Sequence, residues 1–452
     1  MTPISITPDD KCPSDDNFSL RHIQRPALLL GGDGYLYIPF SMMDGIKNPY
    51  PNGLIFAYNT ASLSTAPLCI SMSENTTGKD GGGIWGGGGG PVYAQDPGGS
   101  YHIFFNTGNG FFNLNTTGGT DAGDTFVKMS NSGTALSIAD YYTPGDQYFR
   151  SVSTCDPPVS GDVDFGSGSP MLIPDDENST WQYLAVSGDK EGGLWFMDWT
   201  NPGGYVNQNH TNPCPNTTST DNNVQIFQIS TSFPGGPLIH TNPAFWESSS
   251  TNYLFTSPAN DGNSGGGELM RYQICGTGNP ISSTSPCNQT RAVAYETVAT
   301  SPRLFPWGTT PSISATTSSS PYDAIVWAIW ADGTVVPSNT TFTWNTKTFY
   351  AAKHGALEAF DAASSTDTNM KKLYNSDDCI VSLTAVDQIN PATKYSIPTV
   401  ANGYVYVGTQ GPIQDPSSPS CQIQGVTNPT ASCWKAGSFY IFGHFSTARS
   451  CS

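Results

Sequence analysis

Short apolar runs alternate with turn-forming residues along the whole chain. Runs of four to seven apolar or aromatic residues are bounded by Gly, Pro, Asp or Ser, as in Tyr101–Gly108 and Trp181–Gly188. Runs of this length with these boundaries are typical of antiparallel strands joined by tight turns. Apolar stretches with a helical period are scarce, so the pattern predicts an all-β protein.

The same pattern of runs recurs six times. Each copy begins with a small residue or an anchoring proline and an apolar run, and two further apolar runs follow it. The anchoring prolines are Pro26, Pro91, Pro170, Pro243, Pro311 and Pro398. The predicted repeats cover approximately residues 24–71, 84–142, 164–230, 238–298, 304–374 and 395–445. Most copies also have a candidate fourth strand, which predicts four-stranded antiparallel blades.

Radial stacking of these repeats predicts a β-propeller. A small sheet that is apolar on both faces cannot bury them alone, whereas stacked blades cover one another. We therefore expect a single propeller domain over residues 1–452, with six repeats visible and a seven- or eight-bladed ring left open. Ile4–Ile6 is a candidate closing strand beside the last repeat. Separate β-sandwiches are the alternative, but the sequence has no linker or break in composition between copies.

Composition limits the classes of partner that the protein could bind and indicates the redox state of its cellular compartment. The formal net charge of −18 disfavours a nucleic-acid partner, and no apolar run approaches the length of a membrane span. The ten cysteines lack zinc-site spacing, and their even number predicts five disulfides, with buried free thiols as the alternative. The favoured pairs are Cys275–Cys287 and Cys421–Cys433.

Glycosylation motifs agree with an oxidising compartment. Eight Asn-x-Ser/Thr sequences lie in predicted loops, at Asn17, Asn75, Asn115, Asn178, Asn209, Asn216, Asn288 and Asn339. Together with the cysteines they predict a secreted glycoprotein. The segment after Met1 has no signal-peptide character, so either the start has been removed, which we favour, or the protein is intracellular.

Several segments resemble a known family. They are Gly82–Trp85, Thr107–Gly110, Asp162–Pro170 and Gly188–Asp198, and they lie in matching order and spacing. They look like the pyrroloquinoline-quinone-repeat propellers, most of all a secreted branch of the quinoprotein alcohol dehydrogenase-like superfamily. The resemblance is best between residues 24 and 198, and beyond them it rests on the repeat pattern.

The resemblance implies a site. In the catalytic members a quinone lies over the central channel beside a calcium ion. Carried over to this chain, Asn109 is a calcium ligand, and Asp162 is the base or a calcium ligand, with Asp164 as the alternative. Trp85 and Lys190 are then placed against the quinone. Each of these residues also has a simpler interpretation as a turn or packing residue.

One departure from the family decides the favoured function. The catalytic members stack the quinone on a ring formed by adjacent cysteines, and this chain has no Cys-Cys pair. We therefore favour a secreted ligand-binding or interaction propeller, with a small molecule or carbohydrate as its partner. The alternative is a pyrroloquinoline-quinone- and calcium-dependent dehydrogenase acting on alcohols or sugars. Neither a Ser/His/Asp order typical of hydrolases nor a paired-carboxylate motif is identifiable.

Overall fold

The computed structural model is almost entirely β. It describes residues 22–42, 52–73, 81–150, 163–174, 182–206, 225–229, 238–247, 252–259, 267–274, 294–315, 324–331, 341–344, 347–350, 355–362, 369–378, 380–381, 384–385, 389, 392, 395–409 and 438–443. Helical structure in these ranges is limited to a short 3-10 turn at Gly86–Gly88 and α1 (Gln147–Arg150). The described residues contain no helix that is long and apolar enough to cross a membrane.

The chain divides into two compact units, and the first holds the described residues from 22 to 243 together with residues 294–295. Unit 1 contains three antiparallel sheets. Sheet 1 is formed by β1 (His22–Ile23), β2 (Leu29–Leu30), β3 (Tyr35–Met42), β4 (Leu54–Asn59) and β5 (Leu68–Ser71). Sheet 2 is formed by β6 (Val92–Gln95), β7 (Tyr101–Asn106), β8 (Phe126–Asn131) and β9 (Leu136–Thr143). Sheet 3 is formed by β10 (Met171–Leu172), β11 (Leu184–Gly188), β12 (Gly193–Asp198) and β14 (Gln225–Gln228).

Sheet 2 is packed on both faces because neighbouring residues of a strand point to opposite sides. Ile103 and Phe105 of β7 share a core with Tyr37 of sheet 1. Phe104, between them in sequence, belongs to a different core that includes Trp195 of sheet 3. All of these side chains are almost fully buried. Consecutive sheets therefore stack face to face, as the blades of a propeller do.

A fifth strand joins sheet 2 from elsewhere in the chain. After β12, the chain forms β13 (Gly204–Tyr205), which pairs in parallel with the end of β9. The ring of Tyr205 also contacts that of Phe112, with ring centroids 4.8 Å apart. The connection that follows β12 is thus fastened to the neighbouring sheet, a feature that the repeat pattern does not predict.

Unit 2 repeats the arrangement with three further sheets, described between residues 244 and 443. Sheet 4 is formed by β15 (Ala244–Glu247), β16 (Asn252–Thr256), β17 (Gly267–Ile274) and β18 (Ala294–Phe305). Sheet 5 is formed by β19 (Ser312–Ala315), β20 (Ala324–Ala331), β23 (Gly355–Asp361) and β24 (Lys372–Asn375). Sheet 6 is formed by β27 (Thr399–Ala401), β28 (Tyr404–Gly408) and β29 (Phe439–Phe442). Two short hairpins accompany them, β21 (Thr341–Trp344) with β22 (Lys347–Tyr350), and β25 (Ile380–Val381) with β26 (Thr384–Ala385).

Stacking in unit 2 also uses alternate residues of a central sheet. Val326 and Ala328 of β20 share a core with Phe255 of sheet 4. Ile329, on the opposite face of β20, packs in a core with Val407 of sheet 6. The predicted all-β class with four-stranded antiparallel blades is therefore confirmed. That all six sheets form one domain over residues 1–452 stays a prediction.

The sequence-based boundaries were accurate for the main strands and incomplete elsewhere. The hairpin of β21 and β22 was missed, because the composition of residues 332–346, which include all of β21, predicted a polar loop. Cys69 on β5 is disulfide-bonded. The favoured pairs Cys275–Cys287 and Cys421–Cys433 and the candidate closing strand Ile4–Ile6 lie outside the described residues.

Candidate functional site

A glycine-rich crossing between sheets 1 and 2 places Trp85. The backbone takes positive φ values at Gly86 (63°) and Gly87 (51°), a conformation that costs glycine little. A Cβ atom at Gly87 would lie 2.1 Å from the carbonyl oxygen of His240. Only glycine fits there, so the chain passes close to its neighbours and Trp85 is held in a buried position.

Trp85 has a cation on its ring and an indole N–H for which the described residues supply no acceptor. The guanidinium carbon of Arg25 lies 4.7 Å from the ring centroid, and Arg25 Nε donates to the carbonyl oxygen of Trp85 at 3.1 Å. The buried Nε1 atom of Trp85 has no hydrogen-bond partner among the residues that the structure describes. A buried donor in this state costs free energy that an incoming acceptor would recover.

Asp164 lies beside Trp85 and is held by two groups. The main-chain N–H of Asn109 donates to Asp164 Oδ1 at 2.7 Å. The ammonium of Lys190 lies 2.6 Å from Asp164 Oδ2, and both side chains are largely buried. Each carboxylate oxygen of Asp164 therefore has a charged or main-chain donor from unit 1 itself.

Gly108 is the point where these residues meet. A Cβ atom there would lie 2.2 Å from Asp164 Oδ1 and 2.8 Å from atoms Cδ1 and Nε1 of Trp85. The absence of a side chain at Gly108 therefore brings the carboxylate and the indole close together. Residues from the loops of sheets 1, 2 and 3, among them Trp85, Asn109 and Lys190, lie close together here.

Of the two aspartates that the sequence offered as the acid, Asp162 and Asp164, the described residues include one. Asp162, the favoured acid, lies outside the described residues, whereas Asp164, the alternative, lies in the cluster. Asn109 approaches Asp164 through its main-chain N–H. The assigned roles of Asn109 as a calcium ligand and of Asp162 as a base stay predictions.

Behind the Asp164–Lys190 pair lies a buried arginine that sequence reasoning missed. Arg150 Nε is 2.8 Å from Asp146 Oδ1, Nη1 is 3.2 Å from Asp189 Oδ2, and Nη2 is 2.9 Å from Glu191 Oε2. Its guanidinium carbon also lies 5.2 Å from the ring centroid of Trp195. The available signal was the spacing of Asp146 and Arg150 on a single helical turn.

This arginine network holds both segments that carry the pair. Arg150 Nη1 donates to the carbonyl oxygen of Val163 at 3.5 Å, next to Asp164. Its partners Asp189 and Glu191 flank Lys190 in sequence. The residues on either side of Lys190 in this turn therefore both contact the Arg150 guanidinium, which fixes the position of Lys190.

One arginine facing three carboxylates leaves an excess of negative charge. Burial, the largest cause, together with the nearby Asp146 and Asp189 raises the pKa of Glu191 to about 8, against the opposing effect of Arg150. Burial alone lowers the pKa of Arg150, but the three carboxylates outweigh it and keep that pKa above its usual value. At neutral pH the network therefore holds a charged Arg150 and a mostly protonated Glu191.

Another series of polar contacts joins Asp96, His102 and Ser130 in sheet 2. His102 Nδ1 is 3.0 Å from Ser130 Oγ, and His102 Nε2 is 3.0 Å from Asp96 Oδ2. Asp96 also accepts the main-chain N–H of Ser100, the largest cause of its lowered pKa. The Asp96 carboxylate thus stabilises the β6–β7 turn. We interpret the contacts through His102 as structural, because they join this hairpin to Ser130 of β8.

The residues of the cluster fit calcium poorly. Among the described residues, no three His, Cys, Asp or Glu side chains form a group that could hold a metal ion. The ammonium of Lys190 occupies the space beside Asp164 Oδ2 that a cation would take. The indole of Trp85 and the cation of Lys190 do fit an aromatic anion such as a quinone carrying carboxylates.

Comparisons with known proteins find similar solved structures at low sequence identity. No protein-family model and no curated protein matches the chain. Among solved structures, it is similar to quinohemoprotein alcohol dehydrogenase from Comamonas testosteroni, at 15% identity over 86% of this chain and 57% of that one, with a TM-score of 0.41. A europium-containing methanol dehydrogenase gives 13% identity over 91% and 72% of the two chains, with a TM-score of 0.38. The Dos1 propeller gives 10% identity over 86% and 69%, with a TM-score of 0.38.

The chain spans only 57% of the length of the Comamonas enzyme. Identities and TM-scores this low carry no argument about activity.

Proposed function

We propose that the chain is a ligand-binding propeller whose site is formed by Trp85, Asn109, Asp164 and Lys190. The observation that carries the proposal is that a hydrogen-bond donor, the Trp85 N–H, and a carboxylate, Asp164, lie close together but differ in whether they are paired. The Trp85 N–H has no acceptor among the described residues, whereas both oxygens of Asp164 are already engaged. Such a site favours a polar ligand that offers hydrogen-bond acceptors, as a sugar or a small organic acid does.

Binding without chemistry is the better supported function. A general base must be able to accept a proton from its substrate. Asp164 would first have to leave the ammonium of Lys190, 2.6 Å away, and the main-chain N–H of Asn109. The Asp164–Lys190 ion pair is better suited to forming a fixed polar surface of the site that orients a bound ligand.

A pyrroloquinoline-quinone-dependent dehydrogenase is the second candidate. Trp85, Lys190 and a carboxylate do lie together, as the resemblance implies for a quinone site. The quinone would supply hydride acceptance when bound. Trp85 and Lys190 would hold it, and Asp164 would orient the hydroxyl of an alcohol or sugar. We derive no step through calcium, because the described residues do not assemble a set of ligands for it.

One experiment separates the candidates. Purified protein is titrated with pyrroloquinoline quinone and, separately, with glucose, with and without calcium, while thermal stability and dye reduction are followed. Stabilisation by either compound without dye reduction supports the binding propeller, because binding to the folded state raises the melting temperature. Alcohol- or sugar-dependent dye reduction supports the dehydrogenase, and no effect of either compound contradicts both.

A matched pair of variants locates the binding. Trp85→Phe keeps an aromatic ring and removes the N–H, and we expect it to weaken binding about tenfold. Trp199→Phe is the control, because Trp199 is also buried and its Nε1 also lacks an acceptor among described residues. Equal effects of the two variants would contradict a site at Trp85.

We further propose that the protein is secreted, N-glycosylated and largely disulfide-bonded. Asn115, in the one sequon that falls within the described ranges, is exposed in a turn, which suits a glycosylation acceptor. The disulfide of Cys69 supports an oxidising compartment. Free thiols at all ten cysteines, together with no mass change after deglycosylation of natively expressed protein, would contradict this proposal.

A further inference from the structure

A cleft lies between the outer strands of sheets 1 and 2, on β5 and β9. Its volume is about 480 Å³, within the range of roughly 300–1,000 Å³ that small-molecule sites occupy. Its apolar lining includes Ile70, Leu114, Leu136 and Ile138. Ile70 and Ile138 are only partly buried, so apolar surface remains accessible there.

A carboxylate without a counter-ion lines the same cleft. Asp140 is half-buried, its Oδ1 atom accepts the main-chain N–H of Tyr141 at 2.8 Å, and it forms no ion pair with any residue that the structure describes. Burial, and after it the charge of Asp140, raises the pKa of the Tyr141 phenol. The cleft therefore combines accessible apolar surface with one negative charge.

We propose that this cleft binds a small organic ammonium ion with a short alkyl body. The ammonium would pair with Asp140, and the alkyl chain would cover Ile70, Leu136 and Ile138. A neutral ligand of equal size would leave the carboxylate uncompensated, and an anion would be repelled by it. This inference is independent of the site at Trp85.

Three compounds of equal length test the proposal on the wild-type protein. Hexylammonium, 1-hexanol and hexanoate are titrated into protein whose isoleucine methyl groups carry ¹³C. We expect hexylammonium to shift the methyl signals of Ile70 and Ile138 and to bind at least about tenfold more tightly than hexanol, with no binding of hexanoate. Equal affinities for hexylammonium and hexanol would overturn the assignment to a cation.

Two variants test the role of the charge. Asp140→Asn keeps an oxygen for the Tyr141 N–H and should reduce the affinity for hexylammonium to that for hexanol. Asp378→Asn removes the same charge from an exposed ion pair with Lys372 in unit 2 and should leave that affinity unchanged. The idea fails if Asp140→Asn, with its melting temperature preserved, still prefers the ammonium, or if the shifted methyl signals are not those of Ile70 and Ile138.

Discussion

Replacement of Glu191 by glutamine should remove a strong pH dependence of stability. Glu191 has a folded-state pKa of about 8 against an ordinary value of 4.5. At low pH the carboxyl group is protonated in both the folded and the unfolded chain. As pH rises, the unfolded chain releases this proton first, so the contribution of Glu191 to stability is lost progressively until pH passes about 8.

The size of the effect follows from the interval between these two pKa values. At about 1.4 kcal/mol for each pH unit, a pKa raised from 4.5 to about 8 corresponds to a ceiling of about 5 kcal/mol. Water penetration and relaxation around Arg150 lower that ceiling, so we expect about 2–5 kcal/mol. The glutamine side chain of the variant does not titrate and still offers an oxygen to Arg150.

The assay compares urea unfolding midpoints of wild-type and Glu191→Gln protein from pH 5 to 9. The stability advantage of the variant should be small at pH 5 and should grow to its full value near pH 9. Glu247→Gln, at an exposed position on β15, controls for loss of one negative charge. Parallel pH profiles for the wild type and Glu191→Gln would refute the reasoning about the Arg150 network.

Three further predictions concern the site, the core and the surface. Gly108→Ala places a Cβ atom 2.2 Å from Asp164 Oδ1, so we expect a loss of about 1–3 kcal/mol by urea unfolding, and a wild-type midpoint would contradict the packing. Phe104→Ala leaves a cavity at a fully buried position between Phe126 and Trp199, so the free energy of unfolding should fall by about 3–5 kcal/mol. The control Leu63→Ala, at an exposed position, should lower it by less than about 0.5 kcal/mol. Asn115→Gln should lower the mass of the secreted protein by one glycan on a denaturing gel, and an unchanged mass would show that Asn115 is unmodified.

The strands could be predicted because each is a local pattern. In the second repeat, the predicted run Tyr101–Gly108 became β7 at Tyr101–Asn106, and the predicted fourth strand 136–142 became β9 at Leu136–Thr143. The bounding Gly, Pro and Asp residues mark the turns, and turn chemistry depends on neighbours in sequence. Alternation of apolar residues on both faces then predicts stacked sheets.

The candidate site was predictable only as a neighbourhood. Trp85, Asn109 and Lys190 lie near one another around Gly108 and Asp164, and their roles toward a ligand stay predictions. The sequence favoured Asp162 over Asp164, but the insertion between Asp146 and Asp162, which contains Cys155, left the register of this segment open. The contacts of Arg150 with Asp189 and Glu191 join residues about forty positions apart, and no local period records such a pairing.

The attachment of β13 to sheet 2 has a consequence for how such repeats can be exchanged in evolution. The connection after β12 pairs with β9 through Gly204 and Tyr205, and Thr200 accepts a hydrogen bond from Lys128 of β8 at 3.1 Å. A recombination event that transferred sheet 3 without sheet 2 would leave β9 without its added strand and Lys128 without this acceptor. Sheets 2 and 3 therefore have to be inherited, duplicated or grafted together if this pairing is to be kept.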